Sequence, residues 1–392
     1  MLVKFEELGK KPDPGMPLLQ LGFRPFFLLA GVSAVLLILI WSLLFSAVGP
    51  DTVYGTVYWH GHEMVFGYVM AVVAGFLLTA VKNWTGRQTL NGIPLLALSI
   101  LWLVARLLPF FPASIPYWLV ATIDLLFLPA LAAAILPLLL KTKNYRNLIF
   151  IGIILLLTAA NIVFHFGVAG ILASGQAYGL YAAVYTILLL ISIMGGRVIP
   201  FFIEQGVSGD FTRKSYPAIE ISASAVLLLL GILHTVGAIG IPAVIIALLA
   251  AVLHLIRLSG WYVKGIWRVP LLWVLVLAYG WIIVGLFLMA LAMAGLFAIS
   301  LAFHALTIGG IGLMTMGMMV RVSMGHSGRK LVAPGLLPAA FVALNLAVVV
   351  RVFLPMLMPI ESYPLLVLIS ALIWVFAFTI FVFRMSPVYF LP

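Results

Sequence analysis

Twelve runs of apolar residues follow one another along the chain, separated by short breaks that hold charges, glycines or prolines. Each run has the roughly 18 residues or more that a helix needs to cross the hydrocarbon core of a bilayer. The limits read from the sequence are 24–48, 61–81, 93–110, 116–140, 147–170, 177–200, 217–239, 241–258, 270–294, 299–320, 334–357 and 363–384. Only 8% of residues are charged and 65% are hydrophobic, whereas soluble domains carry about 25% charge. At a mean hydropathy of +1.28 the chain lacks the polar residues to cover a water-exposed surface. The expected fold class is therefore an all-α integral membrane protein of about twelve transmembrane helices, because lipid leaves backbone polar groups no other partners. Residues 24–392 read as one transmembrane domain. Residues 1–23, with Lys4, Lys10, Lys11, Glu6 and Glu7, are too polar for a signal peptide and read as a cytoplasmic tail.

Positive charge fixes the expected orientation. Lys82 and Arg87 follow the second run, Lys141, Lys143 and Arg146 the fourth, and Arg197, Arg213 and Lys214 the sixth. Arg257, Lys264 and Arg268 follow the eighth, and Arg321, Arg329 and Lys330 the tenth; Arg24 and Arg384 lie at the two ends. The alternate loops, near 49–59, 111–115, 171–176, 240, 295–298 and 358–362, contain no Lys or Arg. By the positive-inside rule both termini are cytoplasmic. The net charge of +11 is thus spread over short loops, not gathered into a patch, which argues against a nucleic-acid partner. Cysteine is absent, so disulfides, thiolate clusters and cysteine nucleophiles are excluded, and a metal must rest on His, Met, carboxylate or backbone ligands.

This orientation converts position into depth. His60, His62 and Glu63 fall at the outer end of the second span, Asp124 in the outer third of the fourth, and His304 one turn into the tenth. His165 and His234 lie one to two turns from the outer ends of the fifth and seventh. Arg106 and Arg351, the two cations that remain outside the cytoplasmic set, occupy the outer halves of the third and eleventh. Ionisable groups inside a membrane are costly and mark functional sites by default. Each also has a plainer reading. His234 suits a satisfied hydrogen-bonding role, His254 and His326 a cytoplasmic interface, and the two arginines snorkelling as well as the binding of carboxylates or phosphates. A metalloprotease helix is excluded, since His-Glu-x-x-His would need a histidine where Phe66 stands.

The sequence also echoes itself. Sliding 59–87 onto 301–329 aligns His62 with His304, Gly67 with Gly309, Gly75 with Gly317, and Thr85-Gly86-Arg87 with Ser327-Gly328-Arg329. Arg24, Arg146 and Arg268 recur at a spacing of 122, which suggests three four-helix units, the middle one with Gly196-Arg197 but no such histidine. His62 and His304, at equal depth, meet the condition for bis-imidazole ligation of a haem. His60 lies about 200° from His62 round a helix, while His60 and Glu63, at i and i+3, share a face. The latter two, with His165, are candidates for a separate copper or iron site.

"GFRPFF" at 22–27, "WHGHEMVFGY…NWTGR" at 59–87, "GGRVIPFF" at 195–202 and "HALTIGGIG…RVSMGHSGR" at 304–329 together resemble the NnrS family. The match runs through most of the chain and includes His60, His62, Glu63, Asn161, His165, Arg197, His304, His326 and Arg329. That resemblance implies an integral protein of the bacterial inner membrane carrying haem and copper, linked to nitric oxide metabolism and nitrosative stress. One departure is Val276 in "WVLVLAYGW", where the family pattern often places a histidine. The layout is also similar to the catalytic subunit of haem–copper oxidases, with twelve spans in three arcs and haem-ligand histidines on spans two and ten. The copper-ligand cluster of spans six and seven and the paired histidines of span ten are missing, which argues against an oxygen-reducing proton pump.

The expectation is a haem- and copper-binding membrane protein that binds or turns over nitric oxide near the outer face, with a possible electron donor as partner. Its haem would lie between His62 and His304 with propionates near Arg106 and Arg351, and His60, Glu63 and His165 would form or support the metal site. The alternatives are a copper or small-anion transporter or channel, and a non-catalytic membrane subunit of a respiratory complex.

Overall fold

The computed structural model describes residues 16–49, 51–207 and 216–391. Among these residues there is no strand, and twelve helices are long and apolar enough to cross a membrane. In chain order they are α1 (Phe23–Phe45), α2 (Thr56–Thr85), α3 (Gly92–Phe110), α4 (Tyr117–Lys141), α5 (Tyr145–Val168) and α6 (Gly175–Gly206). They continue as α7 (Pro217–Thr235), α8 (Ile241–Trp261), α9 (Pro270–Met293), α10 (Ile299–His326), α11 (Leu337–Leu357) and α12 (Ile360–Phe390). The protein is an integral membrane protein, and the expected number of spans holds. Lys4, Lys10, Lys11, Glu6, Glu7, Arg213 and Lys214 lie outside the described residues.

Several helices are longer than the apolar runs that announce them. α2 starts five residues before the expected boundary and ends four after it, and α10 continues through Arg321 to His326. Hydropathy sees only the part of a helix that matches hydrocarbon; polar turns such as Trp59-His60-Gly61-His62 and Lys82-Asn83 keep their helical winding beyond it. α2 stops where Gly86 adopts a left-handed conformation (φ 64°), a position that favours glycine. Proline at the first turn opens α7 and α9, where its fixed φ is compatible and its missing N–H costs nothing.

Burial sorts the helices into centre and periphery. The most apolar stretch of α2 is 83% buried and those of α6 and α10 are 67%, against 28% for α7. These three central helices also touch one another. Two of them share an unusual winding. In α2 a regular segment ends at His62 and a π-helical segment follows over Glu63–Val69. In α10 the regular segment ends at His304 and the π segment covers Ala305–Gly312. The sequence echo is thus matched by an echo of backbone geometry. A third π segment, Val349–Phe353 in α11, carries Arg351. Such segments are rare and concentrate at functional sites.

The tightest helix pair, α5 against α6, is made by glycines. A Cβ on Gly179 would stand 2.5 Å from the carbonyl oxygen of Ala160, and one on Gly167 would stand 2.2 Å from the amide nitrogen of Gln176. Small residues let membrane helices approach to backbone contact. This seating matters because α5 carries Asn161 and His165. Gly179→Val is expected to cost about 1–3 kcal/mol of stability, seen as a lower midpoint of thermal unfolding in detergent. Gly152→Val on the same α5, where an added Cβ meets nothing within 4 Å, is expected to stay near wild type.

Candidate metal centre

At one end of the bundle α2, α3, α4 and α5 bring five charged or ionisable side chains into a single buried group. α2 supplies His62 and Glu63, α3 Arg106, α4 Asp124 and α5 His165, all 8% exposed or less. Asn161, one turn before His165 on α5, joins them. The Arg106 guanidinium is the centre of the charge arrangement. Its Nη1 donates to Glu63 Oε1 at 3.0 Å, and its Nη2 donates to Asp124 Oδ1. Two carboxylates and one guanidinium leave the group with an excess of negative charge that cations would offset.

The other oxygen of Asp124 faces the imidazoles. Asp124 Oδ2 lies 3.0 Å from His165 Nε2 and 3.2 Å from His62 Nε2, and it accepts a 2.7 Å hydrogen bond from Asn161 Nδ2. Asn161 Oδ1 is 3.2 Å from His62 Nε2, and His62 Nδ1 is 3.1 Å from Glu63 Oε1. Tyr117 OH stands 2.8 Å from His165 Nδ1 and fixes that ring from behind. Tyr54, in the loop before α2, closes the group with its ring 4.7 Å from His62 and 5.8 Å from His165. Burial, and then the Asp124 carboxylate, push the Tyr54 phenol well above its ordinary range, so it stays protonated.

One ligand atom each from His62, Asp124 and His165 lie within 4.8 Å of one another. Bonds of about 2.0–2.1 Å at tetrahedral or square angles place neighbouring ligand atoms roughly 2.9–3.4 Å apart, and the 3.0 and 3.2 Å edges at Asp124 fall in that interval. Two imidazoles and a carboxylate suit copper, iron or zinc. Glu63 Oε2 is buried without a partner, which adds an acceptor beside this donor set.

His60 and His304 belong to a second group on the opposite side of α2. The His60 ring stacks on Trp41 of α1 at 4.3 Å. His304 donates from Nδ1 to the carbonyl oxygen of Ser300 at 2.6 Å, which leaves Nε2 as the ring's electron-pair donor. Arg351 lies within electrostatic reach of both histidines, and His304 within reach of His60. Its Nη2 donates to Tyr363 OH at 2.9 Å, while Nη1 is buried with no partner.

These two groups redraw the expected site. Both ring nitrogens of His62 are engaged among Glu63, Asn161 and Asp124, so His62 does not stand with His304; on α2 that position belongs to His60. His165 joins His62, not His60. Glu63 also leaves His60 and stands with His62, its Oε1 3.1 Å from His62 Nδ1. Arg106 gives both Nη atoms to carboxylates, whereas Arg351 keeps its Nη1 without a partner. His254, expected at an interface, is fully buried with its Nδ1 2.5 Å from Tyr279 OH. His326 is exposed, and Asn83 Nδ2 donates to it at 3.3 Å. His234 is satisfied by Tyr185 OH at 3.0 Å. The sequence reading placed Asp124 at the right depth but not among the ligands, and it missed Tyr54 and Tyr117, since an isolated aspartate or tyrosine carries no spacing signal.

The family model described as NnrS protein matches residues 17–392, nearly the whole chain. None of the curated proteins compared with the chain matches it.

Removing Arg106 would leave Glu63 and Asp124 as unpaired charges in a membrane interior. Arg106→Met is therefore expected to destabilise the protein by about 3–5 kcal/mol. Arg384→Met, at an exposed position, is expected to change stability by less than about 0.5 kcal/mol. Thermal unfolding of the two variants in the same detergent checks the difference.

Proposed function

The chain belongs to the NnrS family, and from that premise we propose that it is a haem- and copper-binding membrane protein that binds nitric oxide near the outer face of the bacterial inner membrane. The distribution of Lys and Arg supports cytoplasmic termini, which puts the histidine-rich end of the bundle outside. The observation that carries the reading is the buried set of His62 Nε2, His165 Nε2 and Asp124 Oδ2, whose spacing suits one metal ion.

In this reading copper takes the His62–Asp124–His165 set. Arg106 holds Asp124 by its far oxygen and so keeps the near oxygen turned towards the imidazoles. Tyr117 and Asn161 orient the ligands from the second layer, a role whose loss commonly costs 10–100-fold in metal affinity. Glu63, with one oxygen on Arg106 and the other unpartnered, is placed to accept or hold a proton beside the metal. His304 and His60 are the residues that would hold haem, and the unpartnered Nη1 of Arg351 would offset its negative charge. When bound, the two groups supply open or exchangeable metal positions for a diatomic ligand and a route for electrons. The chain's own part is to fix ligand geometry, exclude water and balance charge.

The expected results are a Soret band and stoichiometric copper in the purified protein. His304→Ala and His60→Ala should each lose the Soret band and keep copper. His62→Ala and His165→Ala should lose copper and keep the Soret band, and His326→Ala should keep both. A protein with neither haem nor copper would sink this reading and return attention to a transporter. Losses in the opposite pattern would overturn the assignment of the two groups.

A further inference from the structure

We infer that the bundle contains a binding cavity for a small, uncharged, apolar molecule, set between α2, α6 and α10 and open at one end. The cavity has a volume of about 80 Å³. Val69 of α2 and Ile187 of α6 lie at the end nearer the histidines. Phe76, Val198 and Met318, from α2, α6 and α10, lie at the other end. From Val69 to Phe76 the cavity follows seven residues of α2, roughly 10 Å at the helical rise.

The lining decides the occupant. Thr315 brings the cavity's one side-chain hydroxyl, and its bonds are already made within the protein. Its Oγ1 donates to the carbonyl oxygen of Ile311 at 2.7 Å and lies 2.6 Å from Tyr68 OH. A buried water needs two to four polar partners, and cavities without them stay dry and take up apolar guests. About 80 Å³ is ample for a small gas, since roughly 10–15 Å³ already suffices for one water molecule. What fits is a gas of two or three heavy atoms, a class that concentrates in lipid. Phe76, Val198 and Met318 are the half-buried members of the lining, so the cavity meets the surface at that end. Its other end stops at Val69, the last residue of the π segment that begins at Glu63. The cavity is therefore a holding site whose inner end lies on the same π segment that begins at the metal group. Only the identity of the gas rests on the function proposed above, under which it is nitric oxide; the cavity itself needs neither haem nor copper.

Xenon is the probe, because it reports dry apolar cavities without any metal. Xenon-pressurised crystals of the wild type should show one xenon atom between α2, α6 and α10. Val73→Phe, which fills the cavity from α2, should abolish that site, and Leu36→Phe on the exposed side of α1 should leave it. Thermal unfolding shows whether Val73→Phe folds; if it does not, Met318→Trp at the half-buried end replaces it. Absence of xenon from the wild-type cavity, ordered water in its place, or xenon retained in the folded filling variant would overturn the proposal. In metal-loaded protein the filling variant should also bind nitric oxide several-fold more slowly with haem and copper contents unchanged. An unchanged rate with the xenon site lost would overturn nitric oxide as the occupant.

Discussion

The guanidinium of Arg106, held between the carboxylates of Glu63 and Asp124, ties α2 to α3 and α4 inside the membrane. None of the three charges is tolerable there alone, because burying an unpaired ion costs several kcal/mol even after the protein relaxes. Together they fix one another. Once Arg106 has taken Oδ1 of Asp124, Oδ2 has a single direction left, and it lies against His62, His165 and Asn161. The donor set at the candidate metal centre is thus a consequence of the ion group behind it. The seating of α5 on α6 by Gly167, Gly175 and Gly179 supplies the remaining constraint, since it sets where His165 can stand.

α2 divides the histidine-rich end into two environments. On one side Glu63 and Asp124 outnumber Arg106, and the local field favours a cation. On the other side His60, His304 and Arg351 have no carboxylate among them, and Arg351 keeps a nitrogen free. A cofactor that pairs a metal with carboxylate tails would complement the second environment, and a bare metal ion the first. Two histidines separated by one residue achieve this because they lie about 200° apart round the helix. The Glu63 carboxylate lies on the side of His62, at the point where the π winding begins.

Most of the fold could be read from the sequence. The spacing of apolar runs gave the twelve helices, because lipid leaves a chain few alternatives. The depth of His60, His62, Glu63, Arg106, Asp124, His165, His304 and Arg351 was legible as well. Which of them meet was not. That depends on rotation about each helix axis, and a π segment shifts rotation without leaving a residue-type signature. Hence His62 was paired with His304 on equal depth, whereas the backbone turns them to different neighbours. His254 was misplaced for a related reason. Its position among basic residues suggests an interface, yet Tyr279, Arg257 and Glu220 build a buried polar network round it from α7, α8 and α9.

The echo between α2 and α10 explains why the two environments differ. The offset of 242 that aligns His62 with His304 places Ala305 opposite Glu63 and Leu366 opposite Asp124. Each helix keeps its histidine at the junction of regular and π winding, and the helix that follows each, α3 or α11, keeps an arginine at similar depth. What the second copy lacks is the pair of acids. Arg106 with its acids is a structural tie beside the candidate metal centre. Arg351 without them is a buried cation whose nearest neighbours are two imidazoles and a tyrosine, and in a low-dielectric interior such a charge is stable only opposite an anion. The same helical framework thus carries two acids beside the arginine in one copy and none at the matching positions in the other.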